Sequence, residues 1–179
     1  MASFFGLIST ARLFAKDADI IAEALINGKL CEGKALVDQF KRILKFQGAD
    51  PLLPLGQFED FFGSELNVVA TDLTSRLPRL LNASTAPNLP VAYAVAMSAC
   101  FPIVFPAIEW KPEWGLYDGK DLSGHLFCDG GIVQNFPIRY YLSNEPEVIR
   151  LRGGKLFDPK KTLFLDADST FAPAMSPQE

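Results

Sequence analysis

Leu126-Phe127-Cys128-Asp129-Gly130-Gly131-Ile132-Val133-Gln134-Asn135-Phe136-Pro137 begins as an apolar run and breaks at an acid followed by two glycines. The apolar part predicts a short buried strand. The glycines allow a sharp turn and leave no side chain crowding the acid. A carboxylate placed this way stands at the open end of a sheet, where α/β proteins carry their chemistry. On its own the segment also fits an ordinary strand-to-turn junction, because Asp and Gly dominate turns.

Three further segments precede it in fixed order. Val68-Val69-Ala70-Thr71-Asp72-Leu73 is an apolar strand with a polar end. Ala94-Val95-Ala96-Met97-Ser98-Ala99-Cys100-Phe101-Pro102 is a helix of small residues closed by proline, and Val104-Phe105-Pro106 follows it. Together with Asp129-Gly130-Gly131, Asn135 and Pro137, this set resembles the C-terminal part of the patatin-like phospholipase family across roughly residues 20–170. Family members carry an A-T-D/N-L strand, an A-V-x-A-S-x-A-x-P-x-x-F-P-P helix, and a D-G-G or D-G-A aspartate often followed by N-x-P. Glu32-Gly33-Lys34-Ala35-Leu36 also matches the form in which the family opens the helix after its nucleophile helix.

The resemblance implies a three-layer α/β/α fold with a largely parallel sheet, and hydrolysis of carboxylic esters in lipids by a serine–aspartate dyad. Asp129 takes the place of the dyad base, with Gly130, Gly131 and Asn135 forming and holding its turn. The family serine sits in a Gly-x-Ser-x-Gly turn, and a glycine-rich loop upstream gives N–H groups to the oxyanion. None of the serines here has those flanking glycines, and no such loop is present. The expectation is therefore an N-terminally incomplete patatin-like domain over residues 1–179, inactive by itself. The other reading is a non-catalytic protein of the same fold that binds lipid or a protein partner. Ser98 is the best-placed hydroxyl, but it lies within a helix and not on a strained strand-to-helix turn.

Composition agrees with a single globular unit. The chain has 179 residues, 49% of them hydrophobic, with 15 phenylalanines, which suits a packed core and not disorder. A net charge of −4 gives no electrostatic basis for binding nucleic acid, and no run of like charges suggests a basic membrane anchor. The expected partner is a lipid ester, with peripheral membrane contact through an aromatic edge around Trp110 and Trp114. The same 110–123 excursion reads more readily as a loop anchored by its aromatics, since such loops are common.

Cys31, Cys100 and Cys128 form no C-x-x-C pair and read as buried thiols in a reducing compartment. His125 lies three residues before Cys128, too few ligands for a metal site and on the opposite strand face for a cysteine–histidine nucleophile. It reads as a strand-edge residue. No metal or organic cofactor is expected. The apolar start, Met1 to Ala11, lacks a preceding positive charge and is too short to span a bilayer, so a core helix and a cytoplasmic location are expected.

Along the chain, periodicity predicts helices over 3–15, over a stretch containing Ile20, Ile21, Ala24 and Leu25, and from about Lys34 to Phe46. The last carries the stripe Leu36, Val37, Phe40, Ile43 and Leu44. Phe58 to Gly63 reads as one helical turn, Leu66 to Leu73 as a strand covered on both faces, and Thr74 to Asn88 as irregular. Pro90 starts the small-residue helix. Ile138 to Leu142 opens another helix, and Thr162 to Leu165 is a final strand. Leu163-Phe164-Leu165-Asp166-Ala167-Asp168-Ser169-Thr170 looks like a phosphatase D-x-D-x-T motif. It comes too late in the chain for the rest of that machinery to follow, and its aspartates read as strand-end caps.

Overall fold

The computed structural model describes residues 33–102, 104–132, 140 and 143–155. The elements are helix α1 (Gly33–Phe46), a 3-10 turn (Leu55–Gln57), helix α2 (Phe58–Phe62), strands β1 (Val68–Asp72) and β2 (Leu77–Leu81), and helix α3 (Val91–Ala99). Strand β3 (Ile108–Glu109), a 3-10 turn (Pro112–Trp114), strand β4 (Leu126–Asp129), a 3-10 turn (Gly130–Ile132) and helix α4 (Pro146–Leu151) follow.

Helix α1 forms where its stripe predicts it. Leu36, Val37, Phe40 and Leu44 are buried, and Ile43 packs against the same core. Its end is closed by the Ala49 N–H donating to the Leu44 carbonyl at 2.9 Å, with Gly48 at φ +79°, a left-handed conformation that suits glycine. Pro90 is extended and caps α3 instead of opening it; its carbonyl accepts the N–H groups of Tyr93 and Ala94 at 3.0 Å. Ala92, Ala94 and Ala96 are fully buried. Their small side chains let α3 lie close on β1 and β4 while α1 packs against α3.

Among the described residues the sheet departs from the expected, largely parallel topology. Its order is β2-β1-β4-β3, and every pair in it is antiparallel. Only residues 73–76 separate β1 from β2, which allows a hairpin and forbids a parallel crossover. Arg76 takes φ +59° in that turn. The continuous apolar character of β1 comes from its central position, between β2 and β4 and beneath α3, not from parallel pairing. Among the described residues, helix α3 is the one that makes extensive contact with this sheet, across β1 and β4.

Strand β2 lies within the stretch expected to be irregular. It contains Pro78, which cannot donate to a ladder, and β2 is an edge strand, where proline is tolerated. Strands β1 and β4 do share one sheet, as expected. The proposed strand at Thr162–Leu165, the helices over 3–15 and around Ile20, and the aspartates of the D-x-D-x-T segment lie outside the described residues. So does nearly all of the helix expected at Ile138–Leu142.

The excursion between β3 and β4 is a packed loop, not an aromatic edge open to lipid. Trp110 is 0% exposed and Trp114 is 4% exposed. The Trp110 ring meets Trp114 edge-on at 5.8 Å, Tyr117 edge-on at 6.4 Å and Phe127 at 5.5 Å. Its indole N–H donates to the Gly115 carbonyl at 3.1 Å. Removing rings of this size from water outweighs any gain from displaying them.

Candidate functional site

Strand β4 ends at Asp129, which is half-buried at the carboxyl edge of that strand. Its main chain is fixed from two sides. The Asp129 N–H donates to the Cys100 carbonyl at 2.9 Å, and the Thr71 hydroxyl donates to the Asp129 carbonyl at 2.9 Å. The Gly131 N–H donates to Asp129 Oδ1 at 2.8 Å, the local bond by which an aspartate shapes its own turn. Among the described residues Asp129 forms no ion pair.

Gly130 is required here for a different reason from the one its type suggests. A Cβ at Gly130 would stand 2.2 Å from the Val69 carbonyl oxygen. The turn after Asp129 is thus pressed onto the backbone of β1, and only glycine lets it approach. Asn135, expected to brace this turn, lies outside the described residues.

Helix α3 contacts the Gly130–Ile132 turn, and the carbonyl of its C-cap residue Cys100 accepts the Asp129 N–H, which brings Ser98 to the same region. Ser98 is half-buried, and no hydrogen bond joins it to Asp129 among the described residues. Two cavities stand out in the described part of the molecule, one of about 70 Å³ beside Asn82 and Arg152 and one of about 460 Å³ beside Tyr93 and Lys111. Asp129 lines neither.

Two thiols lie behind the turn. Cys100 and Cys128 are both buried, as expected; Cys31 lies outside the described residues. Burial, then the proximity of Cys128 and Asp129, pushes the Cys100 thiol up to about 12. Burial, then Asp129, pushes Cys128 up to about 11. The Cys100 thiol donates to the Pro106 carbonyl at 3.0 Å. Thiols held protonated in this way are poor nucleophiles, which argues against Cys100 or Cys128 as the nucleophile of a cysteine–histidine pair.

At the other end of β1 is a cluster that sequence reading missed. Asp72 is fully buried. Its carboxylate accepts from the Ser75 hydroxyl at 2.6 Å, from the Thr74 and Ser75 N–H groups at 3.1 Å, and from Arg79 at 3.2 and 3.3 Å. His125 Nδ1 lies 3.0 Å from the same carboxylate. Burial alone would raise the Asp72 carboxyl; the hydrogen bonds from Ser75, His125 and Arg79 outweigh it and hold the group below the usual carboxylate range. His125 is therefore not a plain strand-edge residue. The one available signal was that the single histidine and an apolar strand ending in aspartate invite each other as partners.

Among the described residues no group of three or more His, Cys, Asp or Glu side chains could hold a metal ion, and no helix is long and apolar enough to cross a membrane. The family model for patatin-like phospholipases matches residues 3–142, so the chain belongs to the patatin-like phospholipase family. No curated protein and no solved structure matches the chain.

Proposed function

We propose that this member of the patatin-like phospholipase family carries the base of a serine–aspartate lipid acyl hydrolase, and that the base is Asp129. Such a base takes the proton of a serine hydroxyl as the oxygen attacks an ester carbonyl, and returns it to the departing alcohol. The observation that carries the reading is the way Asp129 is held. Its main chain is tied to Cys100 and Thr71, and one carboxylate oxygen is engaged by Gly131. No cation neutralises it among the described residues. A carboxylate so fixed at a strand end has its position determined before any substrate arrives.

The hydroxyl partner would come from a Gly-x-Ser-x-Gly turn, which these 179 residues do not contain. That same lack favours the second reading, a non-catalytic relative that keeps the fold and binds lipid. The test is to assay the 179-residue chain, and the chain joined at its N-terminus to a family segment bearing Gly-x-Ser-x-Gly, against phospholipid and nitrophenyl esters. Turnover restored by the extension and removed by Asp129→Asn supports the hydrolase. Turnover in the extended protein that survives Asp129→Asn rejects Asp129 as the base.

A further inference from the structure

No stretch of the sequence carries a basic run, yet the fold assembles one. Lys34 and Lys41 lie seven residues apart on α1, and Lys111 follows β3; all three line a cleft of about 460 Å³. The Lys41 ammonium sits 5.1 Å from the centroid of the Tyr93 ring, and the Lys111 ammonium 5.7 Å from the same ring and 5.8 Å from Trp114. Two like charges are thus drawn to one aromatic ring. A cation over an aromatic face is stabilised, while two like charges near one ring repel each other, and an anion bound in the cleft they both line would offset that repulsion. The acids nearby are Asp38 in the cleft wall and Glu113, whose carboxylate is 4.0 Å from Lys111 and well exposed.

The rest of the cleft is apolar, with Val37, Ile108 and Pro106 among its walls. Lysines around an apolar wall fit a molecule with an anionic head and a hydrocarbon body. We propose that this cleft seats the phosphate headgroup of an anionic phospholipid and so docks the chain on a negatively charged membrane surface. A protein with net charge −4 is repelled by such a surface as a whole, so binding requires a local cluster of this kind. The inference does not depend on Asp129 being a catalytic base.

The experiment is sedimentation of the full chain with phosphatidylcholine vesicles, with and without phosphatidic acid, at physiological salt, with tryptophan fluorescence followed in parallel. The chain should partition onto the phosphatidic acid vesicles only. At about five-fold per lysine, Lys34→Gln with Lys41→Gln and Lys111→Gln should lower that partition on the order of a hundred-fold. The three corresponding Lys→Arg changes should keep most of it. A charge-matched control, Arg76→Gln with Lys120→Gln and Lys155→Gln, residues that do not line this cleft, should also retain it. Equal binding to neutral vesicles, an equal loss in the control, or a tryptophan response to inorganic phosphate without any vesicle binding would each overturn the proposal. Should the triple Gln variant lose its circular dichroism, Lys111→Gln alone decides, with a loss of about five-fold expected and no loss rejecting the site. Asp129→Asn should leave the partition unchanged, so failure here is distinct from failure of the hydrolase reading.

Discussion

His125 Nδ1 lies 3.0 Å from Asp72 Oδ2, which ties the residue just before β4 to the last residue of β1. Arg79 reaches the same oxygen from β2 at 3.2 Å. One buried carboxylate therefore binds three neighbouring strands at one end of the sheet. Asp72→Ala removes the acceptor and leaves Arg79, His125 and Ser75 facing a void. Breaking such a buried arrangement costs about 3 kcal/mol. Urea unfolding should show that loss, while His125→Gln, which retains a donor, should cost less than half as much.

The same carboxylate makes the fold acid-sensitive. Its folded-state pKa is lowered from the ordinary value, so its contribution is present at neutral pH and above the unfolded value of about 3.9. It is lost as pH falls through the folded value. The urea midpoint of the native chain should fall steeply as the pH drops below about 4. In Asp72→Asn that part of the acid limb should flatten, and identical acid limbs in the two proteins would assign the effect elsewhere.

Gly130→Ala should damage the protein more than a substitution at a glycine with open space. The added methyl meets the Val69 carbonyl oxygen at 2.2 Å, a backbone atom that cannot swing aside. The clash should cost about 2 kcal/mol or more and displace Asp129. Gly48→Ala, where nothing lies within 4 Å of the new atom, bears only the left-handed backbone penalty of about 1 kcal/mol. Thermal unfolding of the two variants gives the comparison.

Trp110→Ala should destabilise the chain by about 4 kcal/mol, since the ring is wholly buried against Trp114, Tyr117 and Phe127. The tryptophan emission of the native protein should be blue and resistant to iodide. Ready quenching of both tryptophans would restore the lipid-facing edge as a reading of this loop.

The 179-residue chain should show no ester hydrolysis above background. A carboxylate can accept a proton, but acyl transfer also needs a hydroxyl beside it and donors aimed at the oxyanion. Loss of a serine nucleophile costs on the order of a million-fold in turnover in a serine protease. Turnover by the short chain that is abolished by Ser98→Ala would identify Ser98 as a nucleophile that local geometry failed to reveal.

Sequence periodicity located what depends on local burial. Helix α1 shows its core stripe one side chain at a time, and β1 and β4 are dense apolar runs with polar ends. Strand β2 was hidden because Pro78 and Arg79 interrupt its apolar character; only its place at the sheet edge and the long reach to Asp72 make those residues suitable. Strand direction was misread because a central antiparallel strand and a parallel strand bury the same residues. The Asp129 turn was legible as acid plus glycines. The close approach of Gly130 to Val69 was not, because it joins positions 61 residues apart. The Lys34, Lys41 and Lys111 cluster was invisible for the same reason.

Strand β1 has five residues, and both of its ends are engaged. Near its start the Val69 carbonyl lies under Gly130, and at its finish Asp72 gathers His125 and Arg79. Sliding β1 by one position would invert every side chain on it. The same slide would turn Asp72 out of its nest and withdraw Thr71 from the Asp129 carbonyl. The strand behaves as a bolt with a keeper at each end, so neither end can be altered in isolation. Removing the acid at position 72 is therefore expected to be felt at the Asp129 turn through the register of β1, since Thr71 and Val69 of the same strand hold that turn.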